Sequence, residues 1–226
     1  MRLGGLQKLT LLDFPGCVAC TVFTIGCNFR CPFCHNAMLV DGGEEALTEE
    51  EFFSFLAKRA GVLEGVAITG GEPLIHHDIA RFIERIRAYG YKVKLDTNGS
   101  FPEKLKDLVT AGLVDYVAMD VKNAFGSYAF TSGVNVSEER IGESLNFLLE
   151  GKVDYEFRTT VVKGHHDEAA MRKIGETIRG AKRYYLQNFT DSGNLLGTAE
   201  GVNEETMKKF LSIVREYVPS AELRGI

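Results

Sequence analysis

The 226-residue chain has no tryptophan, and its longest run without a charged residue covers only sixteen residues, Phe14 to Phe29. This run contains Pro15 and Gly16, whereas a membrane-spanning helix needs about 20 predominantly apolar residues. The first residues also lack the apolar stretch and small-residue cleavage site of a secretion signal. We therefore expect a cytoplasmic protein that has no membrane partner.

Positive charge is also scarce, because 26 lysines and arginines face 31 aspartates and glutamates, which gives a net charge of -5. Proteins that bind nucleic acid normally present a basic surface, so we expect no nucleic-acid partner. The composition, 45% hydrophobic and 25% charged, is typical of a globular protein. Since the sequence shows no linker-like or low-complexity tract, we expect residues 1–226 to form a single domain.

Short runs of β-branched and aromatic residues alternate with helical patterns along most of the chain. The predicted strands are Val18–Thr24, Gly65–Thr69, Lys92–Asp96, Tyr116–Asp120, Tyr155–Val162 and Arg183–Gln187. Helices between successive strands favour parallel pairing through right-handed crossovers. Because six strand–helix units are fewer than the eight of a closed barrel, we expect an α/β fold, a partial (β/α)6 TIM-like barrel with a parallel sheet.

Local signals mark the ends of the helices. Thr48 followed by Glu51 is a capping box, which predicts a helix start. Further starts are predicted at Pro102, Ser137, Asp167 and Asn203, and further stops at Gly90, Gly112, Gly151 and Gly180. At the two ends of the chain, Leu6–Gly16 predicts a hairpin that leads into the first strand, and Ala221–Ile226 predicts a short last strand.

Polar motifs follow all six predicted strands. They are Cys27 to Cys34, Thr69-Gly70-Gly71-Glu72-Pro73, Asp96-Thr97-Asn98-Gly99, Met119-Asp120-Val121-Lys122, Arg158 to Gly164, and Gln187-Asn188-Phe189. In α/β barrels the carboxyl ends of the strands meet on one face and form the active site. The sequence therefore predicts a catalytic face built from these motifs.

All five cysteines fall within eighteen residues, from Cys17 to Cys34. In a reducing compartment such a cluster is more typical of metal binding or redox chemistry than of disulfides. Cys17 and Cys20 are three apart, a spacing that points side chains to opposite faces of a strand, so we interpret both as packing residues. The remaining thiols are Cys27, Cys31 and Cys34.

These three cysteines, spaced C-x3-C-x2-C, leave a tetrahedral metal site one ligand short. A structural zinc ion needs four ligands, and His35 directly beside Cys34 is badly placed to be the fourth. Three thiolates on a four-iron cluster would instead leave one iron open for a substrate, which is the interpretation that the spacing favours. The aromatic Phe33 can shield such a cluster or contact a bound ring.

The motif, with an aromatic residue before its last cysteine, resembles the signature of the radical S-adenosylmethionine superfamily. Other segments resemble the glycyl-radical-enzyme activating proteins within it, above all the group that activates anaerobic ribonucleoside-triphosphate reductase, with the pyruvate formate-lyase activating enzyme as a relative. These segments are Asp13-Phe14-Pro15-Gly16, Gly26-Cys27-Asn28, Cys34-His35-Asn36 and Gly70-Gly71-Glu72-Pro73. The resemblance covers nearly the whole chain and is strongest from Leu6 to Gly126.

The resemblance implies one 4Fe-4S cluster on the three cysteines, with S-adenosylmethionine bound to the fourth iron through its amino and carboxylate groups. Gly70, Gly71, Glu72 and Pro73 correspond to the segment that receives the methionyl amino group. Asp120 and Lys122 resemble a D-x-K pair near the ribose and carboxylate, and Arg158 is a further candidate for the carboxylate. The cofactor positions thus comprise Phe33, Gly70, Gly71, Glu72, Pro73, Asp96, Asp120, Lys122 and Arg158.

A monovalent cation beside the cofactor carboxylate is also implied. Asp96, Thr97, Met119 and Asp120 match positions that surround such a cation in the pyruvate formate-lyase activating enzyme. Two features depart from the relatives. Gln187-Asn188-Phe189 replaces a histidine that contacts the adenine, and only thirteen residues separate Cys34 from Thr48, which leaves no room for an additional cluster domain.

The implied activity is reductive cleavage of S-adenosylmethionine to methionine and a 5′-deoxyadenosyl radical, which generates a glycyl radical on a partner enzyme of the anaerobic ribonucleotide reductase or pyruvate formate-lyase type. A reductase, flavodoxin or ferredoxin would donate the electron. Two alternatives remain open. One is a radical enzyme with a small-molecule substrate, such as a 7-carboxy-7-deazaguanine synthase, and the other is a non-enzymatic zinc-binding barrel.

Overall fold

A computed structural model describes residues 1–43, 45–191 and 193–225, in which strands and helices alternate. The strands are β1 (Leu3–Thr10), β2 (Ala19–Thr24), β3 (Gly65–Gly70), β4 (Lys92–Thr97), β5 (Tyr116–Asp120), β6 (Asp154–Val161), β7 (Tyr184–Asn188) and β8 (Glu222–Arg224). The helices are α1 (Ala37–Val40), α2 (Glu49–Lys58), α3 (Ile79–Ala88), α4 (Pro102–Thr110), α5 (Tyr128–Ser132), α6 (Glu138–Leu149), α7 (Glu168–Thr177) and α8 (Glu204–Arg215), with a 3-10 helix at Pro73–Ile75. Each of the six predicted strands is present, with ends within one residue of the prediction.

The strands follow one another in the sheet in chain order, from β1 to β8. β1 is antiparallel to β2, whereas β2, β3 and β4 are parallel, as are β6, β7 and β8. The mostly parallel sheet and its crossover helices confirm the predicted α/β class, a partial TIM-like barrel. The predicted last strand is also present as β8, although its final residue, Ile226, lies outside the described residues.

The N-terminal hairpin is longer than predicted. Its strands are β1 and β2, paired from Leu3 opposite Thr24 to Thr10 opposite Ala19, so Leu6–Gly16 is only part of it. The segment that joins β1 to β2 begins with a turn formed by a side chain. The Thr10 hydroxyl accepts hydrogen bonds from the backbone N–H groups of Leu12 (3.2 Å) and Asp13 (3.1 Å).

The predicted helix signals operate as expected. The Thr48 hydroxyl accepts from the Glu51 N–H, and the Glu51 carboxylate accepts from the Thr48 N–H at 2.8 Å, which completes the capping box of α2. Asp167 caps α7 in a similar way, with its carboxylate accepting from the Ala170 N–H at 2.7 Å. Among the described residues, no helix is long and apolar enough to cross a membrane.

The chain contacts divide the protein into two compact units. The first comprises Met1–Asn28, Met38–Thr97 and Glu103–Val117, and the second comprises Phe29–Ala37, Asn98–Pro102 and Ala118–Ile226. The core of the first unit includes stacked rings of Phe52 and Phe82, 5.4 Å apart. In the second unit the buried Tyr184 hydroxyl donates to the Thr159 hydroxyl at 2.8 Å. The single-domain interpretation stays a prediction.

Candidate active site

In the first unit, the Gly-Gly-Glu-Pro segment lies against the end of β2. The Gly71 N–H donates to the Thr24 carbonyl and the Glu72 N–H donates to the Gly26 carbonyl, both at 2.9 Å. A side chain at position 71 would place its Cβ only 1.9 Å from the Gly26 oxygen, and Gly70 has a φ of +111°. The two glycines are therefore required so that this backbone can approach the residues that precede Cys27.

Glu72 is a buried carboxylate that connects the ends of β3 and β4. Its Oε1 accepts from the Thr97 hydroxyl at 2.8 Å and from the Leu74 N–H at 3.1 Å, and the residue is only 1% exposed. The Leu74 bond caps the 3-10 helix that begins at Pro73. The predicted cofactor residue Glu72 is thus held rigidly at a strand end, as a group that orients a ligand must be.

Lys104 of α4 is a residue that the sequence analysis did not identify. Its Nζ donates to the carbonyl oxygens of Leu74 (2.7 Å) and His76 (3.0 Å). These carbonyls end the 3-10 helix, so one ammonium group fixes the segment that follows Glu72. Sequence spacing gives no signal for this contact, since the partners are about thirty residues apart and are backbone atoms.

Asp96 forms an ion pair with Lys94 on the same strand. The Lys94 side chain is 2% exposed, and side chains two residues apart on a strand lie on the same face. Lysine is almost never this deeply buried without a partner. The carboxylate that was predicted to face a cofactor and a monovalent cation therefore has a protein cation beside it.

In the second unit, the cysteine loop is held through its backbone. The Cys34 N–H donates to the Cys31 carbonyl at 3.0 Å, which closes a turn between the two cysteines. The Arg30 N–H donates to the Ser132 carbonyl at 2.7 Å, and the Gly197 N–H donates to the Pro32 carbonyl at 2.9 Å. The loop that carries the motif therefore has defined anchors on both sides of Cys31.

Phe33 is buried among aromatic rings, at 3% exposure. Its ring lies edge-on to His165 and Phe189, with centroid distances of 5.7 and 6.5 Å, and His165 stacks on the exposed Phe130 at 4.4 Å. The Phe33 side chain thus packs among aromatic rings inside the second unit, and a shielding role stays a prediction. A direct contact between Phe33 and a bound ring stays a prediction.

Asp120, Lys122 and Arg158 form an ion network at the end of β5 and within β6. The Asp120 carboxylate accepts from Lys122 Nζ and from Arg158 Nε, both at 3.0 Å. Burial favours the neutral acid, but the charges of Arg158 and Lys122 outweigh it and lower the pKa of Asp120 to about 2. All three groups are therefore charged near neutral pH, and the structure brings together three of the predicted cofactor residues.

The buried His166 holds the backbone of Lys122. Its Nδ1 accepts from the Val162 N–H at 3.0 Å, so Nε2 carries the proton and donates to the Lys122 carbonyl at 2.9 Å. Burial lowers the pKa of His166, which keeps the ring neutral in this arrangement. The Lys122 N–H in turn donates to the Tyr128 hydroxyl at 3.1 Å. Sequence reasoning did not assign this positioning role to either residue.

The remaining predicted residues have structural partners. Met119 is fully buried, with its Cε 2.0 Å from where a Cβ at Gly99 would lie, and the φ of +78° at Gly99 explains the glycine at that position. The Asn188 side chain donates to the Val202 carbonyl at 2.8 Å and accepts from the Val202 N–H at 3.0 Å. This amide is therefore occupied with a loop backbone where relatives were expected to have an adenine contact.

No disulfide joins any of the five cysteines, all of which lie among the described residues. Cys20 is fully buried, and Cys17 packs against a cluster that includes Phe14, which agrees with their interpretation as packing residues. Burial raises the pKa of Cys31, and the nearby Lys122 charge opposes this effect.

The three motif cysteines do not all lie in one unit. Cys27 belongs to the first unit, whereas Cys31 and Cys34 belong to the second. Among the described residues, no group of three or more His, Cys, Asp or Glu side chains is arranged to hold a metal ion. The donor set, three thiols in one short segment, still fits the ligand chemistry of an iron–sulfur cluster. The cluster ligands stay a prediction from the motif.

Comparison with known proteins identifies the family. The sequence model of the radical S-adenosylmethionine superfamily matches residues 21–174. A protein of Methanocaldococcus jannaschii, provisionally named a glycyl-radical enzyme activating enzyme, is 33% identical over 98% of this chain and 95% of its own length. A 7-carboxy-7-deazaguanine synthase of Koribacter versatilis is 31% identical over 62% of this chain, which spans only 59% of the synthase.

Solved structures of low identity share the fold. A domain of a pyruvate-formate lyase-activating enzyme from Bacteroides vulgatus superimposes with a TM-score of 0.59 at 20% identity, covering 71% of this chain and 99% of that domain. SuiB of Streptococcus suis bound to S-adenosylmethionine superimposes with a TM-score of 0.71 at 14% identity, covering 89% of this chain and 49% of SuiB. The match of the superfamily model to residues 21–174, rather than these shared folds, shows that the chain belongs to the radical S-adenosylmethionine superfamily of enzymes.

Proposed function

We propose that this enzyme cleaves S-adenosylmethionine reductively with one 4Fe-4S cluster and generates a glycyl radical on a partner enzyme. The observation that carries the proposal is the C-x3-C-x2-C motif in a chain that aligns over 98% of its length with a protein named for glycyl-radical enzyme activation. The family implies the cluster and S-adenosylmethionine. Membership of an enzyme superfamily argues against the non-enzymatic zinc-binding barrel.

Cys27, Cys31 and Cys34 would hold the cluster. A reduced cluster held there would supply the electron for cleavage of the S–C5′ bond of S-adenosylmethionine to methionine and a 5′-deoxyadenosyl radical. The protein's own groups bind and orient the cofactor. The buried carboxylate of Glu72 is suited to the methionyl ammonium, because opposite charges attract strongly in a site of low dielectric.

The ion network of the second unit supplies the complementary charge. Arg158 and Lys122 contribute two positive charges to this network, against the one negative charge of the Asp120 carboxylate. This surplus suits a carboxylate such as that of the methionyl moiety, and His166 keeps the Lys122 backbone in place for it. The partner would be a glycyl radical enzyme of the anaerobic ribonucleotide reductase or pyruvate formate-lyase type, and a reductase, flavodoxin or ferredoxin would supply the electron.

Anaerobic reconstitution with iron and sulfide tests the proposed cofactor chemistry. The wild-type protein should bind about four iron and four sulfide ions and form 5′-deoxyadenosine after reduction in the presence of S-adenosylmethionine. Cys31→Ala should lose both properties, whereas Cys17→Ser, which changes a thiol in the packing cluster of Phe14, should keep them. Full activity in Cys31→Ala, or no product from reconstituted wild-type protein, would overturn the proposal.

A small-molecule substrate is the second candidate, because the 7-carboxy-7-deazaguanine synthase also matches this chain. The two functions differ in the origin of the hydrogen atom that enters 5′-deoxyadenosine. With a partner enzyme labelled with deuterated glycine, an activating enzyme should yield deuterated 5′-deoxyadenosine and a glycyl radical detectable by electron paramagnetic resonance. Deuterium transfer from a deuterated small-molecule substrate in the absence of any protein partner would select the alternative.

A further inference from the structure

The Lys94–Asp96 pair is a buried charge pair at the end of β4, one strand from the Gly-Gly-Glu-Pro segment. Asp96 was expected to be a ligand of a monovalent cation, together with Thr97, Met119 and Asp120. The Lys94 ammonium already stands beside its carboxylate, and the Asp96 side chain is only 15% exposed. A carboxylate that is paired in this way attracts a dissolved cation only weakly, because the pair is close to neutral.

The second carboxylate of the expected cation site is paired as well. Within its own unit, Asp120 has both Lys122 and Arg158 at 3.0 Å. The other two residues are uncharged: Thr97, which donates its hydroxyl hydrogen to Glu72, offers oxygen atoms, and Met119 offers a main-chain carbonyl and a thioether that is a poor ligand for Na⁺ or K⁺. Each formal negative charge of the expected site therefore lies beside a protein cation, which weakens its attraction for a monovalent metal ion.

We propose that Lys94 serves as a tethered cation that supplies the positive charge beside Asp96, so that binding of S-adenosylmethionine by this enzyme does not depend on Na⁺ or K⁺. Lys94 is thus a positioning residue that acts through Asp96. The inference rests on the proposed cofactor, but cation binding can be measured without the cluster, the cofactor or the partner.

The direct test is titration of the isolated protein with K⁺ and Na⁺ in choline buffer at constant ionic strength. Calorimetry measures cation binding, and the melting temperature measures its effect on stability. Wild-type protein should show no saturable binding and no change in melting temperature. Lys94→Met should bind K⁺ or Na⁺ and melt at a higher temperature in its presence, because Asp96 then lacks its ammonium partner. Lys92→Met, an exposed lysine on the same strand, is the matched control and should behave as wild type.

Binding of S-adenosylmethionine to reconstituted protein provides the second measurement. The wild-type dissociation constant should be the same in choline and in K⁺, whereas Lys94→Met should bind roughly tenfold more weakly in choline and recover in K⁺. Saturable cation binding by wild-type protein, or cation-dependent cofactor affinity, would overturn the inference, even if Lys94→Met does not fold. A folded Lys94→Met that neither binds a cation nor recovers in K⁺ would also contradict it.

The outcomes separate this inference from the proposed function. If wild-type protein binds no S-adenosylmethionine in any buffer, the proposed function fails, while the cation titration still decides the role of Lys94.

Discussion

At the residue scale, charged side chains near the strand ends are paired over very short distances along the chain. Lys94 and Asp96 are two residues apart on β4, and Asp120 and Lys122 are two residues apart at the end of β5. This spacing places both members of a pair on one face of an extended chain. Arg158 reaches Asp120 from a separate strand, β6, and this contact depends on the tertiary structure.

The Asp120 network predicts a specific dependence of stability on pH. The pKa of Asp120 is about 2 in the folded protein and 3.8 when unperturbed, so between pH 5 and 3 the unfolded chain takes up a proton that the folded protein does not. Stability should therefore fall as the pH falls through this range, and it should fall less steeply in Asp120→Asn. Urea denaturation of both proteins from pH 7 to 3 measures this difference.

The same substitution should also destabilise the protein at pH 7, because Lys122 and Arg158 lose their common carboxylate. Asp107→Asn, at an exposed position of α4, is the control and should follow the wild-type curve. Parallel pH profiles for wild type and Asp120→Asn would show that the carboxylate is not coupled to folding.

At the scale of elements, the end of β3 is fixed by a close approach of backbone to backbone. The Gly71 and Glu72 N–H groups bond to carbonyls at positions 24 and 26, just before the first motif cysteine. Lys104 secures the following turn from α4. The Gly-Gly-Glu-Pro segment is therefore held by hydrogen bonds to main-chain atoms, which sequence patterns do not show.

Gly71→Ala should destabilise the protein by at least about 2 kcal/mol, because the new Cβ would overlap the Gly26 carbonyl oxygen and that backbone has little freedom to move. Urea denaturation monitored by circular dichroism measures the change. The matched control is Gly5→Ala on β1, where the nearest atom to an added Cβ is in Phe23 at 3.6 Å, an ordinary contact. Wild-type stability in Gly71→Ala would contradict this account of the segment.

At the scale of the whole molecule, both compact units are built from several chain segments. The chain passes from one unit to the other after residues 28, 37, 97, 102 and 117, and β5 begins in the first unit and ends in the second. Neither unit is therefore a continuous stretch of sequence that could be excised. Because both units share interleaved chain segments, we still predict a single domain.

A single cooperative unfolding transition is expected for this chain topology. In differential scanning calorimetry, the calorimetric enthalpy should equal the van't Hoff enthalpy, as it does for two-state unfolding. Two resolved transitions would show instead that the units unfold independently and that the single-domain prediction is wrong.

The sequence by itself determined the positions of the strands, the short motifs and the fold class of this protein. Runs of β-branched and aromatic residues located six strands to within one residue, since such local preferences act over a few neighbouring residues. The C-x3-C-x2-C motif and the Asp120-x-Lys122 pair were equally visible, because the chemistry of each lies within a short segment. These local patterns led to the fold class and to the superfamily.

Only the tertiary structure decided which residues hold the motif side chains and backbones in place, and which charged side chains pair with one another. Residues 28 or more positions apart are joined by Lys104 on the carbonyls of Leu74 and His76, by His166 on the Lys122 carbonyl and by Arg158 on Asp120. The Asn188 amide likewise bonds to the backbone of Val202 in a loop. Such contacts arise when folding brings distant segments together, and their hydrogen bonds to main-chain atoms depend on position rather than on residue type, so no sequence pattern predicts them.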